Sequence, residues 1–457
     1  MLNRFLFLGC GLLVALGLFA LPFPDGAAAL AFTAVLSAIA IFLFRHFTEE
    51  KSFITTVFLT GLLLRMAFGM LLEIYDLREF FGGDAYAYDL NGWAIVDVWM
   101  GRNLATDVLI FQNDPASGAG WGMNYVTAVV YLFLGRNIFA AQSLCAVVGA
   151  ATAPMVYFCS RKIYGNLKVA KIAALSIAIF PSFVIWSGQL LKDGLIIFLL
   201  VAAMTMVLEL QSKFNYAAVV FLVFSLFGIL SLRFYIFYMV AVAVAGSFII
   251  GLSSTNQSIL RRSIVLVLAG VALTYLGVGN RANVELNTFA RLDRIQASRL
   301  DLARAAETGF NEETDVSTAS GALSAIPTGF AYLMFAPFPW QASNLRQAIT
   351  IPEVLVWWAM IPLLISGLIY TVKNRLRNAF PILIFSLLLT IAYSVFQGNV
   401  GTAYRQRTQI QVFLFILIGV GWTVYLENKE NKRLLRLASQ KRIDDRLRQN
   451  ILRKEQV

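Results

Sequence analysis

The sequence predicts an all-α integral membrane protein of about twelve transmembrane helices, and three observations carry that prediction. Of its 457 residues, 59% are hydrophobic and 14% charged, against roughly 45–50% and 25% in soluble domains. Apolar runs of bilayer-crossing length, roughly 17–25 residues, recur along the chain. Lys and Arg concentrate in alternate connectors between those runs, as the positive-inside rule requires.

The runs stand at 5–22, 28–45, 53–72, 137–159, 168–187, 190–209, 216–232, 234–252, 262–279, 353–372, 379–397 and 408–426. The opening resembles a signal peptide, yet a second apolar run follows with no polar segment between, so an uncleaved first span is expected. Two shorter runs, 123–135 and 327–339, raise the count to fourteen helices if they also cross. Otherwise they are re-entrant or interfacial.

With the N-terminus inside, every strongly basic connector falls on the cytoplasmic side. These are Arg45/Lys51, Arg161 to Lys171, Lys213, Arg261/Arg262, Lys373 to Arg377, and the tail. Residues 1–426 thus form one polytopic domain and 427–457 a basic cytoplasmic tail with ten Lys/Arg against five Asp/Glu. That tail accounts for much of the net charge of +11 and reads as an anchor near anionic lipid, not as a nucleic-acid surface.

The extracytoplasmic face collects the chemically distinctive segments. Loop 74–122 holds seven acids and two arginines. Trp186 to Asp193 is a short turn, 280–352 is a second large loop, and Gly398 to Arg407 is the last turn. Phe289 to Thr308 reads as an amphipathic helix on the outer membrane surface.

Composition excludes some chemistry. The single histidine, His46, lies between two early spans, so a histidine-based zinc site or Ser-His-Asp triad is ruled out on the other face. Cys10, Cys145 and Cys159 all fall in apolar runs and suggest no disulfide framework. Acid–base work is left to carboxylate, lysine or tyrosine.

Candidate residues follow. Asp84 and Asp89 lie just beyond a span among Tyr86, Tyr88 and Trp93; either carboxylate suits a general base, although spacing i, i+5 does not place both on one helical face. Lys192 and Asp193 read as an interfacial ion pair or as a cation near a lipid phosphate. Arg405 and Arg407, beside Tyr404, are external arginines that run against the topological tendency, and guanidinium forks suit phosphate oxygens. Arg346, after the segment ending in Trp340, is of the same kind. Arg65 lies mid-span and needs a partner on another helix, and Arg233 falls between two spans.

The combination of an external Asp after an early span, Asn124-Tyr125 leading into GRNIFAAQSLCAVVGAATAPMVYFCSRKIYG, and then IFPSFVIWSGQLLKDGLIIFLL resembles the GT-C fold glycosyltransferases. The likeness is to the family of protein mannosyltransferases and lipid A aminoarabinose transferases, over about residues 53–210. The resemblance implies a polyprenyl-phosphate-linked sugar donor, a glycan or glycolipid acceptor, and transfer outside the cytoplasm with Asp84 in catalysis. Ala85 stands where the family often has a Glu, so any divalent metal would rest on Asp84 alone, and no cofactor is indicated. On this reading Lys192, Arg405, Arg407, Arg346 and Tyr404 bind phosphate, while Asp89, Tyr86, Tyr88 and Trp340 shape the acceptor site. Two other functions fit many spans with external loops: an O-antigen-type polymerase or ligase, and a lipid-linked oligosaccharide flippase.

Overall fold

A computed structural model describes residues 24–102, 120–250, 256–275, 291–304, 308–310 and 313–454, with seven positions between 9 and 17. The first expected span, 5–22, lies largely outside the described residues, as do Cys10 and the loop portions 103–119 and 276–290. The described chain is 87% helical with no strand, so the all-α expectation holds. Seven of its helices are long and apolar enough to cross a membrane, or up to eight if one bent pair is a single span.

The seven are Asp25–His46, Lys51–Ile74, Ile138–Tyr164, Asp193–Ser212, Leu345–Asn374, Leu376–Phe396 and the long helix from Val400. Asn side chains start several helices by accepting the backbone N–H groups that have no intrahelical partner. Asn137 accepts from Ala140 N at 3.0 Å and Asn215 from Ala217 N at 3.0 Å. Gly165, at φ +68, closes Ile138–Tyr164 in the left-handed region and lets Asn166 begin the next helix at once.

Helices Asp193–Ser212 and Ile138–Tyr164 are innermost, with 83% and 78% of their most apolar stretch buried, while Asp25–His46 and Leu345–Asn374 bury 22%. The peripheral helices present Phe42, Val356 and Ile365 outward, which in water would be a liability and in lipid is the required surface. Leu345–Asn374 and the final helix meet backbone to backbone: a Cβ on Gly421 would lie 1.9 Å from Leu363 O, and one on Gly367 1.9 Å from Leu417 O. Close approach through small residues is how helices associate where no hydrophobic drive separates protein from solvent.

Run 168–187 is two helices, Leu167–Ile179 and Pro181–Ser187, bent by 54°. Pro181 has no N–H, so the carbonyl of Ile177 loses its i+4 donor. Arg65 replaces it. Its guanidinium reaches Ile177 O (3.4 Å), Ala178 O (3.2 Å), Gly61 O (2.8 Å) and Ser187 Oγ (2.7 Å). The expected partner on another helix is therefore a broken helix end, not a carboxylate.

One reading is corrected. Segment 74–122 is not simply a loop: Arg78–Gly82 and Asp84–Trp99 are helices. Run 123–135 is helix Trp121–Leu134, 14 residues long, about 21 Å at 1.5 Å per residue and short of the ~30 Å hydrocarbon core. The basic tail continues the last apolar run without a break, because Val400–Lys454 is one continuous helix of 55 residues. Helix Leu292–Arg304 forms where the amphipathic helix was expected, but it buries Arg299 against Thr314 O at 2.7 Å.

Candidate functional site

Helices Asp84–Trp99, Asp193–Ser212 and Val400–Lys454 bring three chain-distant polar residues together at one end of the bundle. Asp84 occupies the first turn of its helix, where the positive end of the helix dipole favours a carboxylate. Arg405 Nη1 donates to Asp84 Oδ2 at 2.9 Å, and Arg405 Nε donates to Asp193 Oδ2 at 2.7 Å. Arg233, in the break between Tyr216–Leu232 and the next helix, donates from Nη2 to Asp193 Oδ1 at 3.2 Å. Asp193 is fully buried and needs both arginines; Asp84 leaves 51% of its side chain exposed.

Lys192 borders this chain of ion pairs. Its ammonium packs where a Cβ on Gly120 would sit, 2.4 Å away, and Gly120 itself has φ +80. A side chain there would both strain the backbone and displace the lysine. Burial, with Arg233 next in effect, lowers the Lys192 pKa to about 8. Among the described residues it makes no ion pair. The expected Lys192–Asp193 pair is thus replaced, because Asp193 at the first helical position turns its carboxylate inward to the two arginines.

Two aromatic rings complete the wall. Trp186 lies under Arg405, 5.5 Å from ring centroid to guanidinium carbon, and its buried Nε1–H has no partner among the described residues. Tyr88 is half-buried one turn along from Asp84. Burial, then the Asp84 charge, hold its phenol well above the usual tyrosine range. Tyr88 therefore stays a neutral hydroxyl.

The remaining sequence candidates make their polar contacts outside this ion-pair chain, although the Tyr404 ring packs edge-on to Trp186 at 6.3 Å. Asp89 accepts from Tyr131 OH at 2.6 Å and from Arg136 Nη2 at 2.6 Å, on another face of the same helix. Tyr86 is exposed. Tyr404 donates its hydroxyl to Glu353 Oε2 at 2.7 Å, with Ser182 against the same carboxylate. Arg407 is fully buried and donates to Met334 O (3.1 Å) and Ala336 O (3.0 Å). Arg346 lies over the Phe80 ring at 5.1 Å, and Trp340 stacks on Phe338 at 5.2 Å. The sequence reading gives Trp186 no role, pairs Asp193 only with Lys192 and leaves Arg233 between two spans; the structure brings all three into the cluster.

The cluster sums simply. Three cations (Lys192, Arg233, Arg405) face two carboxylates (Asp84, Asp193), leaving one positive charge. A divalent metal does not fit this set: Arg405 already occupies the space between the carboxylates, and among the described residues no three metal-binding side chains come together. A single anion does fit, beside the half-buried lysine. Scanned against protein families and searched against curated proteins, the chain matches none.

Proposed function

We propose that this protein is a membrane glycosyltransferase. It moves a sugar from a polyprenyl-phosphate-linked donor to an envelope glycan or glycolipid acceptor on the extracytoplasmic face of the cell membrane. The observation that carries the reading is the charge balance around Arg405. A polyprenyl phosphosugar is a phosphodiester with one negative charge, and one uncommitted cation borders the ion-pair chain. A diphosphate-linked glycan, the donor of a polymerase or ligase, would bring at least one further charge with no matching cation here.

The donor phosphate binds at Lys192 and takes over the Arg405 Nη1–H that Asp84 accepts in the ligand-free state. Asp84, released and solvent-accessible, accepts the proton of an acceptor hydroxyl as that oxygen attacks the anomeric carbon. The new C–O bond forms while the anomeric C–O(phosphate) bond breaks. Its electron pair stays on the phosphate, where Lys192 and Arg405 stabilise the second charge as it develops. Inversion at the anomeric carbon follows from a single displacement.

Topology is part of the proposal. Counting the bent pair as one span, adding Tyr216–Leu232, Phe234–Ile250 and Asn256–Tyr275, and taking 5–22 as the first gives twelve. Both termini are then cytoplasmic.

Asp84→Asn tests the reading. Transfer should fall by about 10²–10⁴-fold, the usual contribution of a positioned general base, with the thermal midpoint little changed. Full transfer by this variant would dismiss Asp84 as base. Mass spectrometry of lipid-linked sugars in a deletion strain should show a polyprenyl-monophosphate sugar accumulating; polymer-length lipid-linked intermediates would select the polymerase or ligase instead.

A further inference from the structure

A second recess lies beside the start of the same long helix. It encloses about 240 Å³ and is lined by Thr308, Tyr332, Phe338, Gln341, Gln347 and Val400, among others. None of its lining residues is charged. Sites that enclose drug-sized ligands run to roughly 300–1,000 Å³, so the occupant here is a ring-sized neutral group.

The walls are aromatic. Phe310 stacks on Tyr332 with centroids 4.1 Å apart and planes at 3°, and Phe338 meets Tyr332 edge-on at 5.4 Å. Phe338 caps the 3-10 turn Pro339–Gln341, and that turn stacks the Trp340 ring on Phe338 at 5.2 Å. Trp340, stacked behind the lining residue Phe338, remains 72% exposed. The polar part of the lining is amide and hydroxyl. Gln347 Oε1 accepts from Ser343 N at 2.8 Å, and Gln341 Oε1 accepts from Tyr332 OH at 3.3 Å. Both amide NH₂ groups thereby stay available as donors.

From this juxtaposition we infer that the recess is a binding subsite for a neutral saccharide ring. One face of a pyranose presents C–H bonds with partial positive charge, which the negative face of an aromatic ring attracts. Its edge presents hydroxyls that both donate and accept, which amides satisfy. The recess shares a helix with the ion-pair cluster. Arg405 stands five positions after Val400 on one helix, roughly 7.5 Å of rise. Arg346, next to Gln347, reaches Glu79 O at 3.4 Å in the short helix before Asp84. As the seat of the acceptor glycan the recess rests on the transferase reading; its capacity to hold a saccharide does not.

Saturation-transfer NMR with a panel of methyl glycosides and their disaccharides, on full-length protein in nanodiscs without any lipid donor, tests this directly. At least one glycoside should show contact through its ring C–H groups. Trp340→Ala and Gln341→Ala should each weaken that affinity about tenfold, and Trp340→Phe should retain it. Silence from every glycoside at tens of millimolar, or affinity indifferent to these variants, overturns the subsite. So does brominated-lipid quenching of Trp340, read as the difference from Trp340→Phe, because that exposed ring would then belong to the bilayer. Glycoside binding without any transfer activity would leave the subsite standing and remove the transferase.

Discussion

Lys192 gives the site a pH signature that runs in two directions. Its pKa is about 8 in the fold against 10.5 in the open chain. Between those values the unfolded chain holds more protons than the folded one, so stability rises with pH across that window. Phosphate affinity moves oppositely, being full below about pH 8 and lost as the amine deprotonates above it. Thermal midpoints and donor binding measured from pH 7 to 10 should therefore diverge, and Lys192→Met should flatten both profiles. Arg405 makes a different prediction. Arg405→Ala leaves buried Asp193 with Arg233 alone, and breaking a buried pair costs about 3–5 kcal/mol, readable in denaturation. Arg405→Lys should not restore the loss, because a point charge cannot bridge Asp84 and Asp193 as a guanidinium does.

Single residues were also where the sequence was most and least legible. Topological parity was enough to place Asp84, Lys192 and Arg405 on one face, since the connectors alternate in charge. It could not separate Arg405 from Arg407. With 398–407 read as a turn, both looked available. On a helix that starts at Val400 they are two positions apart, roughly 200° around the axis, and one faces Asp193 while the other faces Met334 and Ala336. Asp84 and Asp89 diverge for the same geometric reason, and there the spacing alone already said so.

Among elements, the broken helix at Phe180–Pro181 is the one whose logic can be dissected. Arg65→Met should destabilise the protein by leaving the carbonyls of Ile177 and Ala178 without side-chain donors. Pro181→Ala returns a backbone N–H at the break, so the double variant should lose less than the two single losses added. A coupling of about 0.5–3 kcal/mol is expected for residues in one hydrogen-bond network; strict additivity in unfolding measurements would refute the capping role. The crossing of Leu345–Asn374 with the final helix predicts a steric failure. Gly421→Leu has no room beside Leu363 O and should abolish the folded, detergent-stable monomer band. Gly270→Ala, at an exposed position with nothing nearby, should leave that band intact. Neither the break's cap nor this crossing was visible in the sequence, because both depend on which helices become neighbours, and apolar runs of similar composition do not say.

At the scale of the whole molecule, hydropathy sufficed for the class: apolar runs longer than a soluble core needs leave only lipid as solvent. Length decided less. Several helices fall at or below 17 residues, as Trp121–Leu134 and Tyr216–Leu232 do, and polar sequence such as Asp84 to Trp99 folded as helix because it packs on Trp121–Leu134. The uninterrupted Val400–Lys454 helix adds a prediction here. Its exposed Lys and Arg beyond Leu426 should bind anionic vesicles, at roughly 1 kcal/mol per basic residue near the surface, with affinity falling steeply as salt rises in a sedimentation assay.

The Arg65 cap also sets an order of events during synthesis. A guanidinium at the centre of a membrane helix costs about 2.5–3.5 kcal/mol on insertion scales, and its acceptors lie 112 and 113 residues further along the chain. Helix Lys51–Ile74 consequently leaves the ribosome long before its partner exists. It has to stay beside the translocon, or tilt Arg65 towards headgroups, until Leu167–Ile179 arrives. The bend that positions Trp186 and Lys192 and the retention of an early helix are then one assembly step, and a chain truncated before Ile177 should remain crosslinkable to the insertion machinery while one extended past Ser187 should not.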